Sequence, residues 1–357
     1  MEVAIAGVLT TMIQSIERNN DKVRAMNKAD VAPTIVNIME EMIAFPSVCE
    51  RCLMFIGVLC RNNDESKSTL SLESSKDFGV YGASAKIATI LQKYSNDPKI
   101  MEAGCDAIRG MCYLESNRKR LGDEGVCEIL GRSLTRWQSN PDVSSWLCRA
   151  IGHLTNDNDD NREKFATIGS IVYIIELLQY NQQNAMVLTE ICWAIRNVAP
   201  NDENRERFQK SAGIDNVLAV FKYHIGTAMF VTEACRAMVA MISSEDDELI
   251  AKMVSGGLIQ LVMKALKKNP DSEELGHAAF NLLYYVACEL QFCQKLVSAD
   301  ILDTLSMTLE AHASEVGVAE WCCRTVNKIA QLEGITSRMR GNVIKLSFNI
   351  LTYIYSI

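Results

Sequence analysis

No run of 18 consecutive apolar residues occurs in the sequence, so a single membrane-crossing helix is not expected. Nor does the amino terminus carry the charged start, short apolar core and small-residue cleavage site of a secretory signal. These two absences give an expected cytoplasmic location, with nuclear access open. Positive charge is short as well: the formal net charge of −8 offers no general attraction to nucleic acid or an anionic membrane. The glycine loops that cradle phosphates, GxGxxG and GxxxxGK(S/T), are missing, as are HExxH and GxSxG. Histidine is scarce, and the four present, His153, His224, His277 and His312, are scattered too widely to form a catalytic constellation. An enzyme is not expected, and neither is a cofactor.

Cysteine, by contrast, is plentiful at thirteen residues, and its spacing carries the organisation of the chain. Anchored on Cys192, one small apolar position recurs at Cys52, Cys105, Cys148, Cys235, Ala279 and Cys323, in steps of 53, 43, 44, 43, 44 and 44 residues. Around each anchor the third, sixth and seventh residues onward stay mostly apolar, as in Ile108, Met111 and Cys112, or Ile195, Val198 and Ala199. Offsets of three and seven from the anchor share one helical face. Six of the cysteines are therefore core thiols rather than a disulfide framework. Cys49 and Cys52 have metal-ligand spacing, but no second pair or nearby histidine completes a site, and no metal is expected. A period of roughly 40 to 47 residues is that of armadillo or HEAT arrays, whose units bury their apolar faces only by stacking.

The remaining signals fall into this register. Residues 1–18 read as a capping helix with Leu9, Met12, Ile13 and Ile16 on one stripe. The long first step places an insertion at 61–78, rich in serine (Ser66, Ser68, Ser71, Ser74 and Ser75), which reads as an exposed loop. Gly79, Gly125, Gly169, Gly213 and Gly257 recur just before each second helix, where a positive φ would turn the chain. Asn117, Asn161 and Asn204 stand near the start of first helices and read as caps. The Asn156–Asp160 run resembles a calcium loop but lacks its glycine and final glutamate, so a capped helix start is the better reading.

The composite Cys-x-Ala-Ile-x-Asn-x-Ala, then Glu-Asn-Arg, then Ala-Gly-Ile before an apolar helix resembles the armadillo repeat. The copy from Trp193 to Leu218 is a close match, similar to repeats of the importin-alpha and beta-catenin type, and about seven units run from Lys22 to Leu332. The resemblance implies an all-α fold, a right-handed α-solenoid of three-helix repeats formed by residues 1–357 as one array. It also implies that the third helices line a concave groove for extended peptides or partner proteins.

The first and fifth residues after each anchor lie one turn apart, away from the apolar face, and should line that groove. They pair Leu53 with Gly57, Asp106 with Gly110, Arg149 with His153, and Trp193 with Asn197; further on, Arg236 stands with Ala240, Phe280 with Tyr284, and Arg324 with Lys328. In importin-alpha these positions are repeatedly tryptophan and asparagine, which here only Trp193 and Asn197 match; the arginines of neighbouring repeats would repel a basic signal. The expected function is a non-enzymatic adaptor or scaffold that grips an acidic or aromatic-containing partner segment. The alternatives are an import-type receptor for a basic signal and an obligate subunit of a larger assembly. At the carboxy-terminal end, residues 334–357 read as a partial repeat whose last helix, Asn342 to Ile357, is apolar around much of its circumference. Phe348 and Tyr355 mark it as a contact surface for a second copy or another partner.

Overall fold

The computed structural model describes residues 1–17, 19–61, 69–243, 247–312 and 315–331. Among them it contains 22 α-helices and no strand, arranged as an all-α solenoid of one leading helix and seven helix triplets. The leading helix is α1 (Glu2–Ile16). The first three triplets are α2 (Asn20–Lys28), α3 (Val31–Glu41) and α4 (Pro46–Cys60); α5 (Thr69–Val80), α6 (Ala83–Lys93) and α7 (Pro98–Met111); and α8 (Glu115–Asp123), α9 (Val126–Trp137) and α10 (Pro141–Thr155). Next come α11 (Asp159–Ile168), α12 (Ser170–Tyr180) and α13 (Ala185–Val198), then α14 (Asp202–Lys210), α15 (Gly213–Tyr223) and α16 (Ala228–Met241). The last two triplets are α17 (Asp247–Ser255), α18 (Leu258–Lys268) and α19 (Glu273–Cys288), and α20 (Leu290–Ser298), α21 (Ile301–Ala311) and α22 (Val316–Ala330).

Contacts group the chain into two compact units, Met1–Tyr180 with Pro200–Asn204, and Asn181–Ala199 with the described residues from Arg205 onward. In the first unit the leading helix α1 packs on α4, and the third helices follow in succession, α4 on α7 and α7 on α10. In the second, α13 packs on α16, α16 on α19 and α19 on α22. Proline at the first turn starts α4, α7 and α10, where its missing N–H would have had no helical partner anyway. Asp97, Asn140, Asn184 and Ser272 cap α7, α10, α13 and α19 by accepting from backbone N–H groups of the first turn. The anchors Cys52, Cys105, Cys148, Cys192, Cys235 and Ala279 are fully enclosed, whereas Cys323 is half-buried and Cys322 takes the core position beside it.

A small anchor matters because the third helices approach closely. A Cβ on Gly110 would lie 2.8 Å from the Cys60 Cβ, so α4 and α7 meet almost backbone to backbone there. Burial raises the Cys49 thiol to about 11 and the Cys52 thiol to about 12, which makes the pair inert core residues. No single helix among the described residues is long and apolar enough to cross a membrane.

Three expectations are corrected. The serine-rich insertion is not a loop throughout: Thr69–Val80 is α5, with Ser71, Ser74 and Ser75 buried. Its hydroxyls bond to backbone, Ser75 Oγ to the Met111 carbonyl at 3.1 Å and Ser74 Oγ to the Leu70 carbonyl at 3.1 Å, so polar side chains fill an interior face. The sharp turns into the second helices fall on Gly82, Gly125, Gly169 and Gly257, with Asp30 and Asp300 holding the same left-handed backbone in two repeats. Gly79 lies inside α5 instead, and Gly213 begins α15 without a positive φ.

The asparagines are the third correction. Asn117, Asn161 and Asn204 do not cap; each is the third residue of its first helix and fully buried. Asn161 Nδ2 donates to the carbonyls of Arg118 and Leu154, both at 2.9 Å, tying one first helix to the preceding one. Asn117 does the same to Ser75 O at 2.7 Å and Met111 O at 3.2 Å. Gly79 and Gly122 make room for these side chains, because a Cβ on either would collide with the asparagine oxygen. The cap of α11 is Asn158, which accepts from Asn161 N at 2.9 Å.

A second set of cross-ties joins successive turns between second and third helices. Tyr94 and Trp137 donate to the Ile43 and Ser95 carbonyls in the first unit. In the second, the His224 and His312 rings and the Asn269 amide donate to Gln182, Pro270 and Ile225 carbonyls at 2.6, 2.9 and 3.0 Å. Two of the four histidines thus have a structural task. The segment 334–357, with Phe348 and Tyr355, lies outside the described residues, as does 62–68 of the insertion.

Candidate functional site

Side chains on neighbouring third helices meet along one face in each unit. In the first unit Asp106 of α7 is only 7% exposed. It accepts from Arg109 through Nη2 at 2.7 Å and Nε at 3.1 Å, and it pairs with Arg61 at the end of α4. The Arg109 guanidinium also lies 5.9 Å from the ring of Trp146 on α10, and Arg149 stacks on that same ring at 5.0 Å. His153, one turn further along α10, meets the Tyr113 ring edge-on at 6.1 Å. Burial, then the charges of Arg109, Arg149 and Arg118, push its pKa down to about 4, so the imidazole is neutral at physiological pH. At the opposite end of these helices stand carboxylates: the Glu102 carboxyl is raised by burial and by the nearby Asp142 and Glu50. The face is thus acidic at the helix starts and basic at the helix ends.

The second unit builds its face differently. Arg196 stacks on Trp193 at 5.2 Å and reaches Glu233 of α16 at 3.4 Å. Arg236 binds the other oxygen of Glu233 at 2.6 Å. Across α19 and α22, Trp321 donates Nε1–H to His277 Nε2 at 3.2 Å and packs against Tyr284 at 5.6 Å. Arg324 stacks on Trp321 at 4.7 Å and pairs with Glu320 at 2.6 Å.

Of the expected groove residues, Arg149, His153, Trp193, Arg236, Tyr284 and Lys328 are half-buried and Arg324 is exposed. Six positions depart from expectation, among them Gly57 and Gly110, both buried where α4 and α7 meet. Phe280 of α19 is fully buried, and Thr325 Oγ1 of α22 donates to its backbone carbonyl at 3.3 Å. Leu53 is fully buried as well, beside Gly57, whose absent side chain leaves room for Asp106. Asn197 is 6% exposed and donates to the Trp193 carbonyl at 2.8 Å on its own helix. Asp106 serves as an internal counter-ion for two arginines.

Sequence reasoning missed Trp146, Trp321 and His277, each two residues before an anchor, and Arg109 and Arg196, four after one. The available signal was a partner with arginine three residues on, as in Asp106–Arg109, Trp146–Arg149, Trp193–Arg196, Glu233–Arg236 and Trp321–Arg324. That spacing puts each pair on one helical face. Among the described residues no group of three or more His, Cys, Asp and Glu side chains is placed to hold a metal ion.

Comparison with known proteins yields a likeness of fold. The chain resembles a beta-catenin structure determined in work on a phosphorylation switch controlling the interaction between cadherin and beta-catenin. The TM-score is 0.58 at 14% identity, covering 91% of this chain and 69% of that one. No protein-family model matches the sequence. No curated protein matches it either.

Proposed function

We propose that this chain is a non-enzymatic adaptor that holds an extended, acidic or aromatic-containing partner segment against its third-helix faces. The observation that carries the reading is the repetition of an oriented arginine, stacked on tryptophan or held by a carboxylate, on five of the third helices. Repeating one face position with a recognition group is how stacked-repeat proteins build an extended site. A guanidinium fixed by stacking keeps its edge N–H groups for carboxylates at a reduced cost in side-chain entropy. Likeness to beta-catenin, a protein whose interaction with cadherin is on record, supports the general class but names no partner here.

A basic-signal receptor is less well supported. Trp193 lies under the cationic Arg196, and Asn197 turns to its own backbone. The test is a peptide array probed with the intact chain, followed by solution titration of the best acidic and best lysine-rich peptides. Acidic peptides should bind more tightly, and Arg149→Glu or Arg324→Glu should weaken them by about tenfold while leaving the thermal midpoint nearly unchanged. Tighter binding of the lysine-rich peptide, improved by either substitution, would favour the import-type alternative.

A further inference from the structure

The basic end of the first unit's face is more specialised than an acidic-segment adaptor requires. Four guanidinium groups gather, Arg61 at the end of α4, Arg109 of α7, Arg118 of α8 and Arg149 of α10, and Asp106 pairs with Arg61 and Arg109. This concentration of positive charge stands in a chain whose net charge is −8. Two of the arginines are positioned in advance. Arg109 is gripped by Asp106 through two N–H groups and shares the Trp146 ring with Arg149. Arg118 is fixed from the other side, Nη1 donating to the Cys112 carbonyl at 2.7 Å, next to Tyr113. Tyr113 in turn stands edge-on to His153. The charges of Arg109, Arg149 and Arg118 all bear on the His153 ring, which with Tyr113 and Trp146 forms the floor of the cluster. Their rigid forks match the geometry of a tetrahedral oxyanion, and a phosphate monoester brings close to two negative charges and three acceptor oxygens.

We propose that this cluster is a phosphoryl-binding subsite, in which Arg109, Arg118 and Arg149 receive a phosphorylated serine or threonine of the partner segment. The proposal rests on the adaptor reading and specifies the chemistry of its ligand. A single carboxylate offers less charge and fewer acceptors to three guanidiniums, so a phosphorylated residue should outbind aspartate at the same position.

The experiment has two arms, both on the intact chain. In the first, the best acidic peptide from the array is remade with serine, aspartate or phosphoserine at each position in turn. One position should bind with phosphoserine about tenfold more tightly than with serine. That gain should vanish in Arg149→Gln with Arg118→Gln and persist in Arg324→Gln. If the double variant loses its native circular dichroism, Arg149→Gln alone decides. In the second arm, histidine ring NMR follows a titration with inorganic phosphate against chloride at equal ionic strength, His153→Gln assigning the resonance. A phosphate anion seated among the arginines should raise the His153 pKa by about one pH unit.

A phosphoserine gain at no position, or one untouched by the double variant, overturns the subsite while leaving the adaptor reading intact as long as the acidic peptide still binds. Failure of every peptide overturns the adaptor reading itself, and the phosphate titration then judges the cluster alone: an unmoved His153 overturns the subsite too. Inorganic phosphate binding as tightly as the phosphopeptide would make this a site for the free anion and overturn the assignment to a partner segment.

Discussion

The two units solve the same packing problem with different chemistry. In the first, successive first helices are tied through buried asparagines, Asn117 and Asn161, seated against Gly79 and Gly122. In the second, the equivalent third residues of α17 and α20 are Leu249 and Phe292, also buried. Their third-helix faces diverge likewise: guanidiniums around a single tryptophan in one, and a His277, Tyr284 and Trp321 cluster with carboxylate-held arginines in the other. The backbone register fixes where a side chain points. What it presents there is free to vary between repeats, and under the proposed adaptor function such variation would let one array read different stretches of a partner.

The largest effect should come from forcing the second unit's solution on the first. Asn161→Leu strands the Arg118 and Leu154 carbonyls and crowds Gly122, and should cost about 2–4 kcal/mol in urea denaturation. A loss below about 0.5 kcal/mol would mean that the asparagine ties do not hold the first unit together.

Acid should separate the units next. Burial and the neighbouring arginines hold His153 down to about 4, against the 6.5 of an ordinary imidazole. Between those values the unfolded chain binds the extra proton. Stability should therefore fall as pH drops from about 6.5 to about 4, then level off, by on the order of 1–3 kcal/mol. His277 in the second unit is lowered by burial and Arg236 but raised by Glu320 and Glu273, so its contribution is smaller. His153→Gln should flatten the pH dependence of the denaturation midpoint more than His277→Gln does; equal effects would undo the distinction. The smallest effect is expected for Trp321→Phe, which keeps the ring stack but removes the bond to His277, at about 1 kcal/mol by thermal denaturation.

Much of the fold was legible because the anchor is a packing requirement repeated seven times: a small residue where third helices touch leaves a period that composition cannot hide. The turn glycines were legible only in part, since Asp30 and Asp300 adopt the same left-handed backbone that glycine favours. Asn117, Asn161 and Asn204 look like caps in sequence because asparagine suits both a helix start and a buried tie. Only the burial and, for Asn117 and Asn161, the glycine opposite tell the roles apart. The candidate site was legible in register but not in engagement. Arg149, Arg236 and Arg324 were readable as a ladder, each with its partner three residues earlier on the same helix, but the links from Arg109 to Trp146, Arg196 to Glu233 and Trp321 to His277 depend on how helices sit side by side. Phe280 shows the converse failure: a position read as open is fully buried.

The central claim is that partners are held on the third-helix faces, and hydrogen–deuterium exchange tests it most directly. The intact chain would be compared with and without the tightest acidic peptide from the array. Slowed exchange should fall on the third helices, strongest in α7 and α10 around Arg109 and Arg149, with the first and second helices of the same repeats unchanged. Protection of the second helices, with α7, α10, α13, α16, α19 and α22 untouched, would contradict the account.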